Sequence, residues 1–425
     1  MKMKFLLSVA AVAMVGHAAQ KPDVVILLID SLKASHVGCY GYKRNTTPNL
    51  DRFAAENAIR FETVIPGGSW TQPSVMTLFT SLPADEHMRV EADKNHDVTV
   101  LTLAEVLRNQ GYTTVGITAN AMTNRRYGFG KGFHLWDDYS ATLSPDAELK
   151  EIASGYGRGM VLTGMGINKL KQRNTKKPLF LFMFYMDPHW DFNPPSPYDR
   201  RFATTEAGTL RHSWSLPLSK VTPEIQRRTI DAYDGEIAYC DAAISRFIEE
   251  LKKTPGWDNT LLIIAGDHGE SFWERGFSGH GNYLYDQELK VPLFVKLPHG
   301  MNVAKAGSVI KGQVGMIDIA PTILELCNIE KPKRWKGESL VPSMRTGRAS
   351  GRPLTIETRA RKGLWQRAVR TDDFKLIAIN DFSRPSEIYD LRNDPGETNN
   401  LCKSAFPMPS SMIEAIKLLK PFARK

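Results

Sequence analysis

Cysteine is scarce in this chain, and the few cysteines lie far apart. Cys39, Cys240, Cys327 and Cys402 occur among 425 residues, and no two have the close spacing of a zinc or redox motif. A small scaffold held together by disulfides is therefore excluded, because a chain of this length can bury a core without them. Disulfides between some of the four remain open, but we expect small buried thiols.

Long apolar runs, internal repeats and blocks of like charge are also missing after the N-terminal segment. The most apolar run, residues 24–29, is short and lies between two aspartates, so it cannot span a bilayer. Lys and Arg outnumber Asp and Glu by 55 to 46, which gives a net charge of +9, but the excess is spread along the chain. We therefore expect no nucleic-acid partner; the positive balance serves solubility or attracts an anionic substrate.

The N-terminal segment has the pattern of a secretory signal peptide. Lys2 and Lys4 precede an apolar stretch at residues 5–16, which is too short to cross a membrane and is followed by small residues. We interpret residues 1–19 as this signal peptide, the alternative being an uncleaved anchor. The interpretation predicts a periplasmic or secreted protein with no transmembrane anchor after cleavage.

Apolar runs alternate with amphipathic segments through most of the chain. Strands are predicted at residues 24–29, 112–118, 179–184, 261–265 and 292–295, and helices at residues 73–81, 101–109, 223–251 and 317–326. Continuous apolar strands that alternate with helices indicate an α/β fold with a mostly parallel sheet and helices on both faces. Residues 186–220, rich in Pro, Ser and Arg, are predicted to form a long loop over one end of this sheet.

The pattern changes near residue 345. Short alternating runs follow at residues 354–357, 368–370 and 374–378, which are typical of antiparallel strands. We therefore predict a large α/β domain at residues 20–345 and a small antiparallel α+β C-terminal subdomain at residues 346–425.

Three of the predicted strands are followed directly by acidic residues or histidine. Asp30 follows the first strand, Asp187 and His189 follow the strand at 179–184, and Asp267 and His268 follow the strand at 261–265. One such residue alone is more often a turn or cap residue. However, the carboxyl ends of parallel strands meet at one edge of a sheet, where ligands bind. Carboxylates and imidazoles together suit a divalent cation such as Mn²⁺, Mg²⁺, Ca²⁺ or Zn²⁺.

Thr71 is a further candidate because it lies just before the predicted helix that starts at Pro73. A hydroxyl at this place faces the positive end of the helix, which also attracts an oxyanion. Threonine is equally a common N-cap residue, and position alone favours that plain structural role.

Eight segments carry a resemblance to a known family. They are PDVVILLIDSLKASHVGCYGY (22–42), TPNLDRFA (47–54), SWTQPSVMTLFTSL (69–82), LAEVLRNQGY (103–112), YMDPHWDF (185–192), AGDHGESFWERGFSGHGN (265–282), DIAPTILEL (318–326) and IYDLRNDPGETNNL (388–401). With them the chain resembles the sulfatase branch of the alkaline phosphatase superfamily over nearly its whole mature length. The resemblance implies an alkaline-phosphatase-like fold and a metal-dependent ester hydrolase.

The resemblance also implies a metal centre. Asp30, Asp267 and His268 would hold one divalent metal ion, and Thr71 would contact the same ion. The family pattern leaves the identity of the ion open among Mn²⁺, Ca²⁺, Mg²⁺ and Zn²⁺.

The remaining roles concern catalysis and substrate. Thr71 occupies the nucleophile position, and the resemblance implies that His189 and His280 bind the transferred group or assist the leaving group. Asn120 and Asp187 are candidate substrate-binding residues. His189 lies two residues after Asp187 rather than four, so the second-metal pattern of two-metal relatives is not matched.

The chain departs from typical sulfatases at two places. Typical members carry a Cys or Ser that is oxidised to formylglycine and is followed by x-Pro-x-Arg, whereas residues 71–75 here read TQPSV. A threonine cannot give that aldehyde, and Val75 stands where the arginine would be. The Lys and His of the usual Gly-Lys-Trp-His stretch are missing at residues 118–121 (TANA).

These departures favour phosphoester or phosphodiester chemistry over sulfate hydrolysis. A formylglycine hydrate expels sulfate by collapsing to the aldehyde, but an esterified threonine needs water or an acceptor to attack the transferred group. We therefore predict a hydrolase or group transferase acting on a small anionic ester or an envelope glycan or lipid. The alternatives are a sulfuric ester hydrolase and a non-catalytic envelope binding protein on a sulfatase scaffold.

Overall fold

The computed structural model describes residues 21–87, 99–138, 159–203, 216–359, 363–403 and 408–419. The predicted signal peptide at residues 1–19 lies outside these ranges, as does part of the predicted loop at 186–220. Within the described ranges, no helix combines the length and the apolar character needed to cross a membrane.

In the part of the chain that the structure describes, the large domain is built around a central sheet of eight strands. In spatial order the strands are β10 (Val309–Gly315), β2 (Ile59–Ile65), β9 (Leu293–Lys296), β6 (Thr260–Gly266), β1 (Asp23–Ile29), β5 (Leu179–Tyr185), β3 (Thr113–Thr118) and β4 (Leu135–Asp137). Among the strands that the structure describes, only β9 runs antiparallel to its neighbours in this sheet; the other pairs are parallel. The predicted mostly parallel sheet is thus confirmed, while β2, β4 and β10 were not predicted.

Helices cover both faces of this sheet. They are α1 (Pro48–Glu56), α2 (Thr71–Thr80), α3 (Ala84–His87), α4 (Leu103–Asn109), α5 (Gly159–Gln172), α6 (Pro223–Lys252), α7 (Asp286–Leu289), α8 (Ile319–Leu326) and α9 (Val341–Thr346), with α10 (Ser410–Lys417) in the C-terminal part. The even-numbered residues of β1 pack with apolar residues of α2, α4 and α8, and the odd-numbered residues pack with those of α1, α5 and α6. Because both faces of β1 are buried, its sequence is a continuous apolar run.

Helix α2 begins earlier than the sequence predicts. Its first residue is Thr71 rather than Pro73, and Trp70 is the N-cap residue, in extended conformation and without a capping side-chain hydrogen bond. Pro73 is tolerated because the N–H groups of the first helical turn have no intrahelical acceptor, so the N–H that proline lacks costs no hydrogen bond. All ten residues of α2 are buried, so Thr71 is fixed on a helix packed in the core.

The C-terminal part is an antiparallel sheet, as predicted; among the described residues it has four strands, of which the last was not predicted. Its strands are β11 (Leu354–Arg359), β12 (Trp365–Arg370), β13 (Phe374–Ile379) and β14 (Glu387–Asp390), in that spatial order. One face packs against Ile65 and Leu289 of the large domain, and the other against Met412 and Ala415 of α10. The exact domain boundary at residue 345 stays a prediction.

The four cysteines are free thiols. Cys240 and Cys327 are buried, as expected from the sequence, whereas Cys39 is half-buried and Cys402 is exposed.

A cluster of buried charges joins the C-terminal sheet to the large domain. Lys375 is completely buried; its Nζ lies 2.5 Å from Asp286 Oδ1 and 2.6 Å from Glu397 Oε1. Arg370 contacts the other oxygen of Asp286 at 2.8 Å. Burial raises the pKa of Asp286, but Arg370 and Lys375 outweigh burial and hold that pKa well below its usual range.

We expect the substitution Lys375→Ala to destabilise the protein strongly. It leaves Asp286 and Glu397 buried with less positive charge, and removing one partner of a buried ion pair typically costs about 3–5 kcal/mol. Urea unfolding measures the change. The control is Lys417→Ala, which removes an exposed contact with Glu414 and should change stability by less than about 0.5 kcal/mol. Equal effects of the two substitutions would contradict this assignment.

Candidate active site

Two aspartates follow neighbouring parallel strands and meet at one edge of the sheet. Ile29 of β1 pairs with Gly266 of β6, so the next residues, Asp30 and Asp267, lie side by side. The backbone N–H of Asp267 donates to the carbonyl of Ile29 at 3.1 Å. Both side chains are fully buried. The predicted convergence of these two residues is therefore observed.

Ser31 orients both carboxylates. Its backbone N–H donates to Asp267 Oδ1 and its hydroxyl donates to Asp30 Oδ1, each at 3.0 Å. Ser31 has a φ of 55°, a left-handed conformation that non-glycine residues adopt at a cost, and such strain is typical of functional sites. The sequence alone did not reveal this role of Ser31.

His268 points one ring nitrogen at the carboxylates. Its Nδ1–H donates to the carbonyl of Gly269 at 2.9 Å, and a carbonyl can only accept, so Nε2 carries the lone pair. Nε2 lies 3.5 Å from both Asp30 Oδ1 and Asp267 Oδ2. Burial, assisted by the nearby His280, lowers the pKa of His268 to about 3. The ring is thus neutral near pH 7, as a metal ligand must be.

This cluster fits a divalent metal ion. One ligand atom from each of Asp30, Asp267 and His268 lies within 4.8 Å of the others, the sole group of its kind among the residues described. Asp267 Oδ2 is buried and has no hydrogen-bond partner. Burial, together with the charge of Asp30, raises the pKa of Asp267 well above its usual value. A bound cation would satisfy the oxygen and relieve the repulsion, and these oxygen and imidazole donors suit the ions named above.

Thr71 lies beside this cluster. Its Oγ1 is 3.5 Å from His268 Nε2 and 3.3 Å from Nδ2 of Asn120. The same Nδ2 of Asn120 also hydrogen-bonds Asp30 Oδ2. Thr71 is the first residue of α2, where the positive end of the helix favours bound anions. The structure therefore brings the predicted nucleophile and the predicted metal ligands together.

Two positions show how the site differs from the usual sulfatase pattern. Asn120 follows β3, and its Oδ1 accepts the backbone N–H of Met122 at 2.6 Å, which fixes the amide toward Thr71. Val75 is completely buried in the core. The position of the missing arginine is thus used for packing, and Asn120 supplies a neutral donor in the stretch where the Lys and His are absent.

Three imidazoles follow one another at the site. The ring centroids of His268 and His280 are 4.3 Å apart, and those of His280 and His189 are 5.1 Å apart. The structure thus places both predicted catalytic histidines, His189 and His280, next to the cluster of Asp30, Asp267 and His268. Behind His280, Glu270 Oε2 lies 3.1 Å from Nδ1 of that ring. Sequence reasoning missed Glu270, although it directly follows the Asp-His-Gly triplet at 267–269.

Asp187 lies in a different environment from the other predicted site residues. Its Oδ2 accepts the backbone N–H of Gly159 at 2.7 Å, at the start of α5. A carboxylate is favoured at a helix N-terminus, which gives Asp187 a structural role. Its predicted substrate-binding role stays a prediction.

We expect Asp267→Asn to remove metal-induced stabilisation without destabilising the metal-free protein. The amide oxygen can keep the hydrogen bonds from Ser31 and His268, and the loss of one buried charge relieves repulsion by Asp30. Saturating ligand at about 100 times its dissociation constant stabilises a protein by about 2.7 kcal/mol. Thermal unfolding with EDTA and with added Mn²⁺, Zn²⁺, Mg²⁺ or Ca²⁺ should show this gain for the wild type only. A metal-dependent rise that survives in Asp267→Asn contradicts the assignment.

Comparisons with known proteins place the chain in a family. The family model for sulfatases matches residues 22–329, and the model for the C-terminal part of N-sulphoglucosamine sulphohydrolase matches residues 274–417. The N-acetylglucosamine-6-O-sulfatase of Bacteroides thetaiotaomicron is 24% identical over 93% of this chain and 86% of its own length. The structure of the phosphonate monoester hydrolase of Agrobacterium radiobacter superposes with a TM-score of 0.76 at 21% identity, covering 94% of this chain and 95% of its own. A further solved structure, in complex with D-glucosamine-2-N,6-O-disulfate, superposes with a TM-score of 0.74 at 19% identity, covering 94% and 97%. Since the first family match spans well over half of the sequence, the chain belongs to the sulfatase family.

Proposed function

We propose that this protein hydrolyses an anionic ester with Thr71 as nucleophile and with one divalent metal ion. The observation that carries the proposal is the place of Thr71 Oγ1, at the start of α2 and 3.5 Å from His268 Nε2. Asp30, Asp267 and His268 would hold the ion. When bound, such an ion lowers the pKa of a nearby hydroxyl and shields the negative charge of the ester.

The residues of the chain itself account for the other parts of the reaction. The N-terminus of α2 favours the charged oxygens of the ester, and the Nδ2–H of Asn120 fixes the orientation of Thr71 Oγ1. Thr71 Oγ1 gives its proton to solvent and attacks the central atom of the ester, and the bond to the leaving oxygen breaks. A histidine, His280 or His189, donates a proton to that oxygen. Water then attacks the central atom of the threonine ester, the bond to Thr71 Oγ1 breaks, and Oγ1 takes a proton from the attacking water.

A phosphorus ester is the favoured substrate class. Thr71 has no route to an aldehyde, so the esterified hydroxyl must be released by attack on the transferred group itself. Water attacks phosphorus in phosphothreonine-type intermediates of this superfamily, whereas typical sulfatases depend on formylglycine. The chemistry of the nucleophile thus supports a phosphodiester or phosphonate ester, and a transferase outcome follows when an alcohol replaces water.

Hydrolysis of a sulfuric ester is the second candidate. It is supported by the names of relatives, among them the N-acetylglucosamine-6-O-sulfatase reported above, which aligns over most of both chains. The sugar disulfate in the solved neighbour likewise supports an anionic glycan as substrate. The predicted signal peptide supports an exported enzyme that meets an envelope glycan or lipid.

We expect Thr71→Ala to abolish turnover. Removing a catalytic nucleophile typically lowers kcat by several orders of magnitude, here at least about 10³-fold. The matched control is Thr71→Ser, which keeps a hydroxyl on α2 and should retain measurable turnover. Initial rates with an aryl phosphodiester and the metal-loaded protein measure both variants, after circular dichroism has shown that they fold. Activity in Thr71→Ala equal to that of the wild type would falsify the assignment of the nucleophile.

We also expect an aryl phosphodiester or aryl phosphonate ester to be cleaved faster than the matching aryl sulfate. The reason is that only attack at phosphorus gives an esterified threonine an easy second step. A comparison of kcat/KM for the three esters with Mn²⁺, Zn²⁺, Mg²⁺ and Ca²⁺ tests this, with Thr71→Ala as the blank. Faster sulfate cleavage would reverse the ranking. No cleavage of any ester with any metal would favour a non-catalytic binding protein.

A further inference from the structure

The turn that carries His280 is held by two buried carboxyl groups. Glu270 Oε2 lies 3.1 Å from Nδ1 of His280, and Glu288 Oε2 accepts the backbone N–H of Gly281 at 2.7 Å. Both glutamates are at most 1% exposed. Glu270 thus contacts the imidazole itself, whereas Glu288 contacts only the backbone of the turn.

Burial of the Glu270 carboxyl is energetically unfavourable, and a purely structural role does not explain it. A buried carboxyl needs a charged partner or several hydrogen bonds, yet Glu270 Oε1 is buried without a hydrogen-bond partner. The nearby Lys33 forms its ion pair with Glu274 instead. Besides the backbone N–H of Ser271, the partner of the Glu270 carboxyl is the ring of His280, whose centroid is 4.3 Å from that of the His268 ring.

We propose that Glu270 is a positioning residue for His280; this inference rests on the proposed function. The contact between Oε2 of Glu270 and Nδ1 of His280 fixes the rotation of the ring, because Nδ1 is engaged on the side of the buried carboxyl. Nε2 is then the nitrogen that exchanges a proton with the ester. In the step concerned, Nε2 gives its proton to the leaving oxygen as the bond between that oxygen and the central atom breaks. The hydrogen bond between Nδ1 and Glu270 stays in place during this step.

The first test uses leaving groups of different basicity. A proton donor matters most for a poor leaving group, so loss of its alignment should act selectively. We expect Glu270→Gln to lower kcat by about 10–100-fold for a phenyl ester, the size typical of lost supporting contacts, and far less for a para-nitrophenyl ester. Glu270→Asp should recover part of the loss. The matched control is Glu288→Gln, which should affect all leaving groups by the same factor.

A double-substitution cycle and an NMR signal complete the test. Glu270→Gln should cost nothing further in a His280→Ala background, because it acts through that ring. Proton–nitrogen spectra of the imidazoles should show that the Nδ1 signal of His280 shifts between the wild type and Glu270→Gln. Losses that multiply in the double variant, or equal losses for all leaving groups, overturn the proposal.

The NMR measurement separates this proposal from the proposed function. If the wild type cleaves no ester, the proposed hydrolysis is wrong, and the spectra alone then test the contact between Glu270 and His280. An Nδ1 signal of His280 that Glu270→Gln leaves unchanged overturns the positioning role. Should Glu270→Gln not fold, Glu270→Asp gives the same readings with a smaller change.

Discussion

The site depends on the repulsion between two carboxylates that the fold holds side by side in the interior of the protein. Asp30 and Asp267 are fully buried at the ends of adjacent strands, and neither can move away because the register of β1 and β6 fixes both. A buried pair of like charges is unfavourable unless a cation or a proton joins it. Ser31 and His268 do not remove this repulsion; their hydrogen bonds orient the carboxylate oxygens toward one point. The register of β1 and β6 thus sets the geometry that fits a metal ion.

The C-terminal sheet contributes to this geometry through the turn that carries His280. Gln366 Nε2 donates to the carbonyl of Asn282 at 2.7 Å, and Thr358 Oγ1 donates to that of Gly281 at 3.4 Å. The buried charges of Lys375, Arg370 and Asp286 fix α7 directly after the turn. The subdomain therefore stabilises one wall of the site, and its packing and the position of His280 are coupled.

The sequence allowed the parallel sheet, the antiparallel subdomain and the meeting of Asp30 with Asp267 to be predicted, because apolar runs followed by acidic residues are local signals. The polar residues within β2 and β10 hid those strands. The start of α2 was predicted two residues too late because a threonine shortly before a proline is typical of an N-cap. In the structure Thr71 and Gln72 are already helical, and the side chain of Gln72 donates a hydrogen bond to the carbonyl of Met122. Glu270 was missed because its role depends on a turn that folds back onto it.

The complete burial of α2 has a consequence for dynamics. Backbone amides of a helix without an exposed residue exchange with solvent through cooperative opening of the surrounding core, which is slow compared with a typical catalytic cycle. Thr71, the proposed nucleophile, is therefore held in one position by the packing of α2. Every position of that helix is already filled by the core, so a change of side chain there disturbs the packing. We expect substitutions that alter specificity to fall outside α2 for this reason.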